Sequence, residues 1–132
     1  MLKGLNHITL AVSDLDTSLA FYLDVLGFKG HVRWGRGAYL SLEELWLCLS
    51  IDELCEKSDY SHIAFSIGSE DFNAFALSIR RKGVNEWKEN RNEGHSLYLL
   101  DPDGHKLEIH SGNLQSRLES LKEKPYSGLA WL

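Results

Sequence analysis

At 132 residues, with 43% hydrophobic and 25% charged residues, the chain is long enough for one soluble domain that buries roughly two-thirds of its unfolded surface. Fourteen Lys and Arg against 19 Asp and Glu leave a net charge of −5, which argues against a nucleic-acid partner. Two cysteines make neither a metal cluster nor a secreted disulfide framework, and no signal core or membrane-length apolar run is present, so a cytoplasmic setting is expected.

Leu5 to Val12 alternates with period two. Ile8, Leu10 and Val12 face one way; Leu5, His7, Thr9 and Ala11 face the other. Ser13, with Asp16 three residues on, predicts the cap of a helix whose stripe is Leu15, Leu19, Tyr22, Val25 and Leu26, closed by Gly27. Strands are predicted around Gly30 to Trp34, Ala38 to Ser41 and Leu45 to Ser50, the last with Leu45, Leu47 and Leu49 on one face. Ile51 to Asp59 reads as a connector.

The pattern then restarts. Tyr60 to Ile67 places Ile63, Phe65 and Ile67 opposite Tyr60, His62, Ala64 and Ser66. Ser69 is the predicted cap of a second helix with Phe72, Phe75, Ala76 and Ile79 as its stripe and a basic last turn before Gly83. A strand near Asn85 to Lys88 and a loop from Glu89 to His95 follow. Two strands then meet at Asp101-Pro102-Asp103-Gly104, where Pro102 presets one turn dihedral and Gly104 accepts positive φ. Beyond that turn Leu107 and Ile109 oppose Lys106, Glu108 and His110. A final helix is capped by Asn113, with Leu114, Leu118 and Leu121 as its stripe, and stops before Pro125.

The chain thus reads as two copies of strand–helix–strand–strand–strand, an α+β arrangement, and Asn6 to Val12 matches Ser61 to Ile67 in pattern and phase. Neither copy covers its sheet alone, so the expected fold is one curved, cup-shaped sheet with helices outside. The predicted single domain spans 1–132, with module one about 3–52, module two about 58–112 and a C-terminal helix and tail at 113–132.

His7, His62 and Glu108 each lie opposite the aliphatic face of a predicted strand. Two imidazoles and a carboxylate suit a divalent ion used as a Lewis acid, such as Mn²⁺, Fe²⁺ or Zn²⁺. His110 shares the Glu108 face and is the rival third ligand. His31, His95 and His105 fall at strand ends or turns and read as solvated. Lys88, Arg91 and Arg117 offer positive charge to an anionic substrate. Asn90 to Ser96 is rich in oxygen donors, compatible with a cation loop but also with an ordinary polar loop.

Several stretches carry a resemblance: Leu5 to Leu15, Gly37-Ala38-Tyr39-Leu40, Leu45 to Ser50, Asp59-Tyr60-Ser61-His62 and Asp101 to Glu108. They resemble the vicinal-oxygen-chelate superfamily (glyoxalases, bleomycin-resistance proteins and dioxygenases). Within it, the Trp46 strand, Trp87-Lys88 and the Asn90 to Ser96 loop resemble the fosfomycin-resistance glutathione transferases, through Arg117 and Pro125 to Gly128.

The resemblance implies His7, His62 and Glu108 as ligands of Mn²⁺ (or another divalent ion such as Zn²⁺). It implies Asn90, Asn92, Glu93, Gly94 and Ser96 as a K⁺ loop. Thr9, Trp46, Lys88, Asn92, Tyr98 and Arg117 would contact fosfomycin, and Trp34, Arg36, Tyr39, Ser50 and Arg91 the glutathione cosubstrate. A homodimer whose sites combine modules of two chains is also implied. The metal and the cations at Lys88 and Arg117 would prepare the epoxide for thiolate attack, with Tyr39 favouring the thiolate and Thr9, Lys88 and Arg117 completing the catalytic set. Asn92 stands where the family has Ser, and Arg36 where Gln is expected. Alternatives of other classes are an Fe²⁺ dioxygenase with the same ligand set, an epoxide hydrolase using water activated by Glu43 or Glu44, and a non-catalytic drug-binding protein.

Overall fold

The computed structural model describes residues 1–56, 58–91 and 95–132 and divides the chain into two compact units. The first holds Met1–Tyr60 with Leu100–His105, the second Ser61–Leu99 with Lys106–Leu132. Each contains one four-stranded mixed sheet, and the two sheets share one topology.

In the first unit β1 (His7–Val12) leads through α1 (Leu15–Leu19) to β2 (Lys29–Trp34), β3 (Gly37–Leu42) and β4 (Leu45–Ile51), with the sheet ordered β1-β4-β3-β2. β1 runs parallel to β4, pairing His7 with Trp46 and Thr9 with Cys48, while β3 is antiparallel to both β2 and β4. Alternation does what the sequence predicts: Leu10, Val12, Ala38, Leu40, Leu47 and Leu49 are all buried.

The first helix differs from expectation in two ways. Its cap is Asp14, whose carboxylate accepts from the Thr17 backbone N–H, so Ser13 lies one residue outside. Ser13 instead bonds the Asp103 carboxylate through both its backbone N–H and its hydroxyl. After Leu19 the helix continues as a π-helical stretch, Ala20–Val25. Phe21 and Tyr22 are both buried there, beside Leu15 and Ser18 of the preceding turn.

The second unit repeats the plan. β5 (Ile63–Ser66), α2 (Phe72–Arg81), β6 (Glu86–Lys88), β7 (His95–Leu100) and β8 (Lys106–Ser111) give the order β5-β8-β7-β6, with β5 parallel to β8. The α+β fold of two βαβββ modules is therefore as the sequence predicts. α2 buries Phe72, Ala76 and Ile79. Asp71 holds its cap position without a side-chain bond, whereas the predicted cap, Ser69, contacts Glu70. α3 (Leu114–Glu123) carries the expected Asn113 cap, made reciprocal by Ser116. Of its predicted stripe Leu121 is buried, but Leu114 in the first turn is exposed.

Three histidines read as solvated have partners. His105 donates to the Ala11 carbonyl at 2.7 Å, His31 meets the Ser41 hydroxyl at 2.7 Å, and His95 stacks on Phe72. Each partner is remote in sequence, which is why local pattern missed it.

Candidate metal and substrate site

The predicted site residues divide between the two units. The first unit carries His7, Thr9, Trp34, Arg36, Tyr39, Trp46 and Ser50; the second carries His62, Lys88, Asn90, Arg91, Ser96, Tyr98, Glu108 and Arg117. Asn92, Glu93 and Gly94, three of the expected K⁺ donors, lie outside the described residues.

On the first sheet, strand alternation lifts a row of rings off the aliphatic core. Trp34 of β2 meets Tyr39 of β3 edge to face, Tyr39 meets Trp46 of β4 in the same way, and Trp46 lies 4.6 Å from the His7 ring of β1. Trp34, Tyr39 and Trp46 are each about two-fifths exposed, a large aromatic surface for a polar face. The His7 Nδ1 sits 2.8 Å from Asn6 Oδ1; an amide oxygen only accepts, so the imidazole donates there through Nδ1–H. Arg36 donates to the Ile51 carbonyl at 2.8 Å and its own carbonyl accepts the Ile51 N–H, which fixes the β2–β3 turn to the end of β4. Glu43 and Glu44 form the exposed two-residue turn between β3 and β4, with Glu43 at φ 48.

In the second unit β5 begins at Ile63, three residues later than the alternation from Tyr60 suggests, so His62 stands just before the strand. Its Nε2 lies 2.9 Å from Oε2 of Glu108, and its ring is flanked by Trp87 and Tyr98. Glu108 is buried. Burial alone would raise its pKa, but hydrogen bonds from Ser96 and His62 and the charges of His110 and His62 outweigh burial and hold the carboxyl below its ordinary value. Behind it, the Ser96 hydroxyl reaches Oε1 at 2.6 Å and His110 Nδ1 at 2.7 Å. His110, the rival ligand by sequence, thus faces Ser96 and stands 3.5 Å from Oε1.

Three residues expected to contact the substrate, Lys88, Tyr98 and Arg117, are also placed. Lys88 Nζ lies 4.9 Å from the centroid of the buried Tyr98 ring, which packs edge to face with Trp87. Trp87 is anchored by its indole N–H to the Leu107 carbonyl. Arg117 on α3 reaches the Tyr126 hydroxyl at 3.3 Å.

Among the described residues no group of three or more His, Cys, Asp or Glu side chains is arranged to hold a metal ion. What the second unit does offer is one imidazole nitrogen and one carboxylate oxygen directed at each other, with the carboxylate kept ionised. That donor pair fits part of a site for a borderline divalent ion. Sequence reasoning did not anticipate Ser96 and His110 behind Glu108, although period two puts Ser96 on one face of β7 with Tyr98.

Comparisons with known proteins give the family. Residues 4–109 match the Glyoxalase/Bleomycin resistance protein/Dioxygenase superfamily. The chain is 49% identical to the glutathione transferase FosA of Serratia marcescens, over 99% of this chain and 96% of that protein. It is 39% identical to the metallothiol transferase FosB of Staphylococcus epidermidis, covering 96% of both. A variant of the fosfomycin resistance protein FosX from Listeria monocytogenes, crystallised with Mn(II) and 1S,2S-dihydroxypropylphosphonic acid, superposes with a TM-score of 0.82 at 31% identity. That superposition covers 90% of this chain and 99% of FosX.

Proposed function

The chain belongs to the glyoxalase/bleomycin resistance protein/dioxygenase superfamily, and from that premise we propose that it is a manganese-dependent glutathione transferase of the cytoplasm that opens the epoxide of fosfomycin. The observation that carries this reading is the 49% identity to FosA sustained over 99% of the chain, which spans both modules rather than the fold motif alone.

In this reading His7, His62 and Glu108 hold the divalent ion, as the approach of His62 to Glu108 supports. When bound, the ion supplies Lewis acidity that stabilises negative charge on the epoxide oxygen. Thr9, Trp46, Lys88, Asn92, Tyr98 and Arg117 hold the substrate. The cations at Lys88 and Arg117, with a K⁺ ion held by Asn90, Asn92, Glu93, Gly94 and Ser96, offset the phosphonate charge, so the carbon beside phosphorus repels an anion less. Trp34, Arg36, Tyr39, Ser50 and Arg91 hold glutathione.

A free thiol has a pKa of about 8.5 and is mostly protonated at pH 7, so the Tyr39 hydroxyl, donating to sulfur, favours the thiolate. Sulfur then bonds the carbon next to phosphorus, the bond from that carbon to the epoxide oxygen breaks, and the oxygen takes a proton from solvent. The active form is a homodimer in which each site combines modules of both chains.

Phosphorus NMR of fosfomycin tests this directly. A new thioether phosphonate resonance is expected only when enzyme, Mn²⁺ and glutathione are all present. Conversion to a diol without thiol would establish a hydrolase instead. Loss of free fosfomycin in proportion to protein, with no new resonance, would establish a sequestering protein.

A further inference from the structure

We propose that Ser96 and His110 are positioning residues that fix which oxygen of Glu108 is presented for ligation, an inference that rests on Glu108 being a metal ligand.

The hydrogen-bond directions follow from the atoms. An ionised carboxylate only accepts, so the Ser96 hydroxyl at 2.6 Å must donate its proton to Glu108 Oε1. With that proton committed, the same oxygen can only accept from His110, so Nδ1 at 2.7 Å carries the hydrogen. The relay runs His110 Nδ1–H to Ser96 Oγ to Glu108 Oε1. It pins Oε1 and leaves Oε2 as the oxygen that meets His62 at 2.9 Å.

The relay is built into the fold. Ser96 and Glu108 are both buried, on the adjacent strands β7 and β8, and His110 lies two residues beyond Glu108 on the same face of β8. The ring's far side has room because of Gly112: a Cβ there would fall 2.7 Å from His110 Nε2, so the ring occupies space that only glycine leaves. His110 is thus free to take the orientation in which Nδ1 meets Ser96. A carboxylate fixed through its second oxygen loses less rotamer freedom when it binds a cation, and groups behind metal ligands typically change affinity 10- to 100-fold when removed.

The test is Mn²⁺ affinity by electron paramagnetic resonance on the full chain, in Na⁺ buffer without K⁺, so that any K⁺ contact of Ser96 does not contribute. Ser96→Ala and His110→Ala should each weaken Mn²⁺ about 10- to 100-fold. His110→Asn, whose amide N–H can take the place of Nδ1–H, should recover most of that loss. The metal-free wild type should show His110 protonated at Nδ1 in its ¹⁵N imidazole spectrum. Wild-type affinity in both alanine variants, or an Nδ1 that carries no proton, overturns the positioning role. A His110→Ala loss as deep as that of Glu108→Ala, with no rescue by Asn, makes His110 a ligand and overturns it too. If Glu108→Ala itself binds Mn²⁺ like the wild type, the ligand assignment fails instead, which separates the two failures.

Discussion

The phenol of Tyr22 donates to Asp101 Oδ2 at 2.7 Å, joining two buried residues 79 positions apart. The other Asp101 oxygen accepts the backbone N–H groups of Asp103 and His105, so one carboxylate shapes the Asp-Pro-Asp-Gly-His turn and receives the π-helical stretch. Tyr22→Phe keeps the ring packing against Phe21 and Phe28 but removes one donor from a buried acceptor. The expected cost is about 1–3 kcal/mol, read as a fall of roughly 3–12 °C in Tm. An unchanged Tm would show that water replaces the phenol freely.

The same pair sets a pH dependence. Burial first, then the Asp101 charge and hydrogen bond, push the Tyr22 phenol well above its ordinary 10.0. With the folded-state value raised, the unfolded chain loses its phenolic proton first as pH increases. The contribution is complete below pH 10 and falls away above it. Denaturant titrations from pH 8 to 11 should therefore show wild type losing stability more steeply than Tyr22→Phe above pH 10. Parallel curves would contradict the assignment.

His62→Ala and Glu108→Ala each delete a proposed ligand, and each should lower Mn²⁺ affinity by more than the roughly 10- to 100-fold expected for a group behind a ligand. Isothermal titration checks this, with circular dichroism showing that the metal-free variants remain folded. Retained affinity in either variant would remove that residue from the ligand set.

Much of the fold was legible because its signals are local. Period-two alternation separates Leu47 and Leu49 from Trp46 and Cys48 without reference to any partner, and the phase match of the His7 and His62 stretches announces the repeat. The π-helical turn was not legible. The apolar spacing there is that of an ordinary helix, and the bond its Tyr22 makes is to a carboxylate 79 residues away. Likewise Asp14 takes the cap from Ser13, and Ser13 is engaged by Asp103 from the distant turn. The Ser96–His110 relay needed the pairing of β7 with β8, which no single-strand pattern contains. The ligand candidates were legible only as residue types on strand faces.

The proposed K⁺ loop predicts a salt-specific rate. Replacing Na⁺ by K⁺ at constant ionic strength should raise epoxide-opening activity, and Glu93→Gln should blunt that rise by removing the fixed negative charge of the loop. Equal wild-type rates in the two salts would leave Asn90 to Ser96 as ordinary polar surface.

The proposed homodimer predicts complementation between two inactive chains. If every site takes its first-module histidine from one chain and its second-module ligands from the other, His7→Ala and His62→Ala homodimers are both inactive, since each of their sites lacks one ligand. In a mixed dimer one site loses both histidines and the other keeps both. Random pairing makes about half of all dimers mixed, each with one intact site of two, so about a quarter of wild-type activity should return. The measurement is to unfold and refold the two variants together and assay Mn²⁺-dependent epoxide opening, with a tagged chain confirming that subunits have exchanged. A site contained within one chain gives a different result, because each variant chain then carries its defect into any dimer. Exchange without recovered activity would accordingly place His7 and His62 in a site of a single chain.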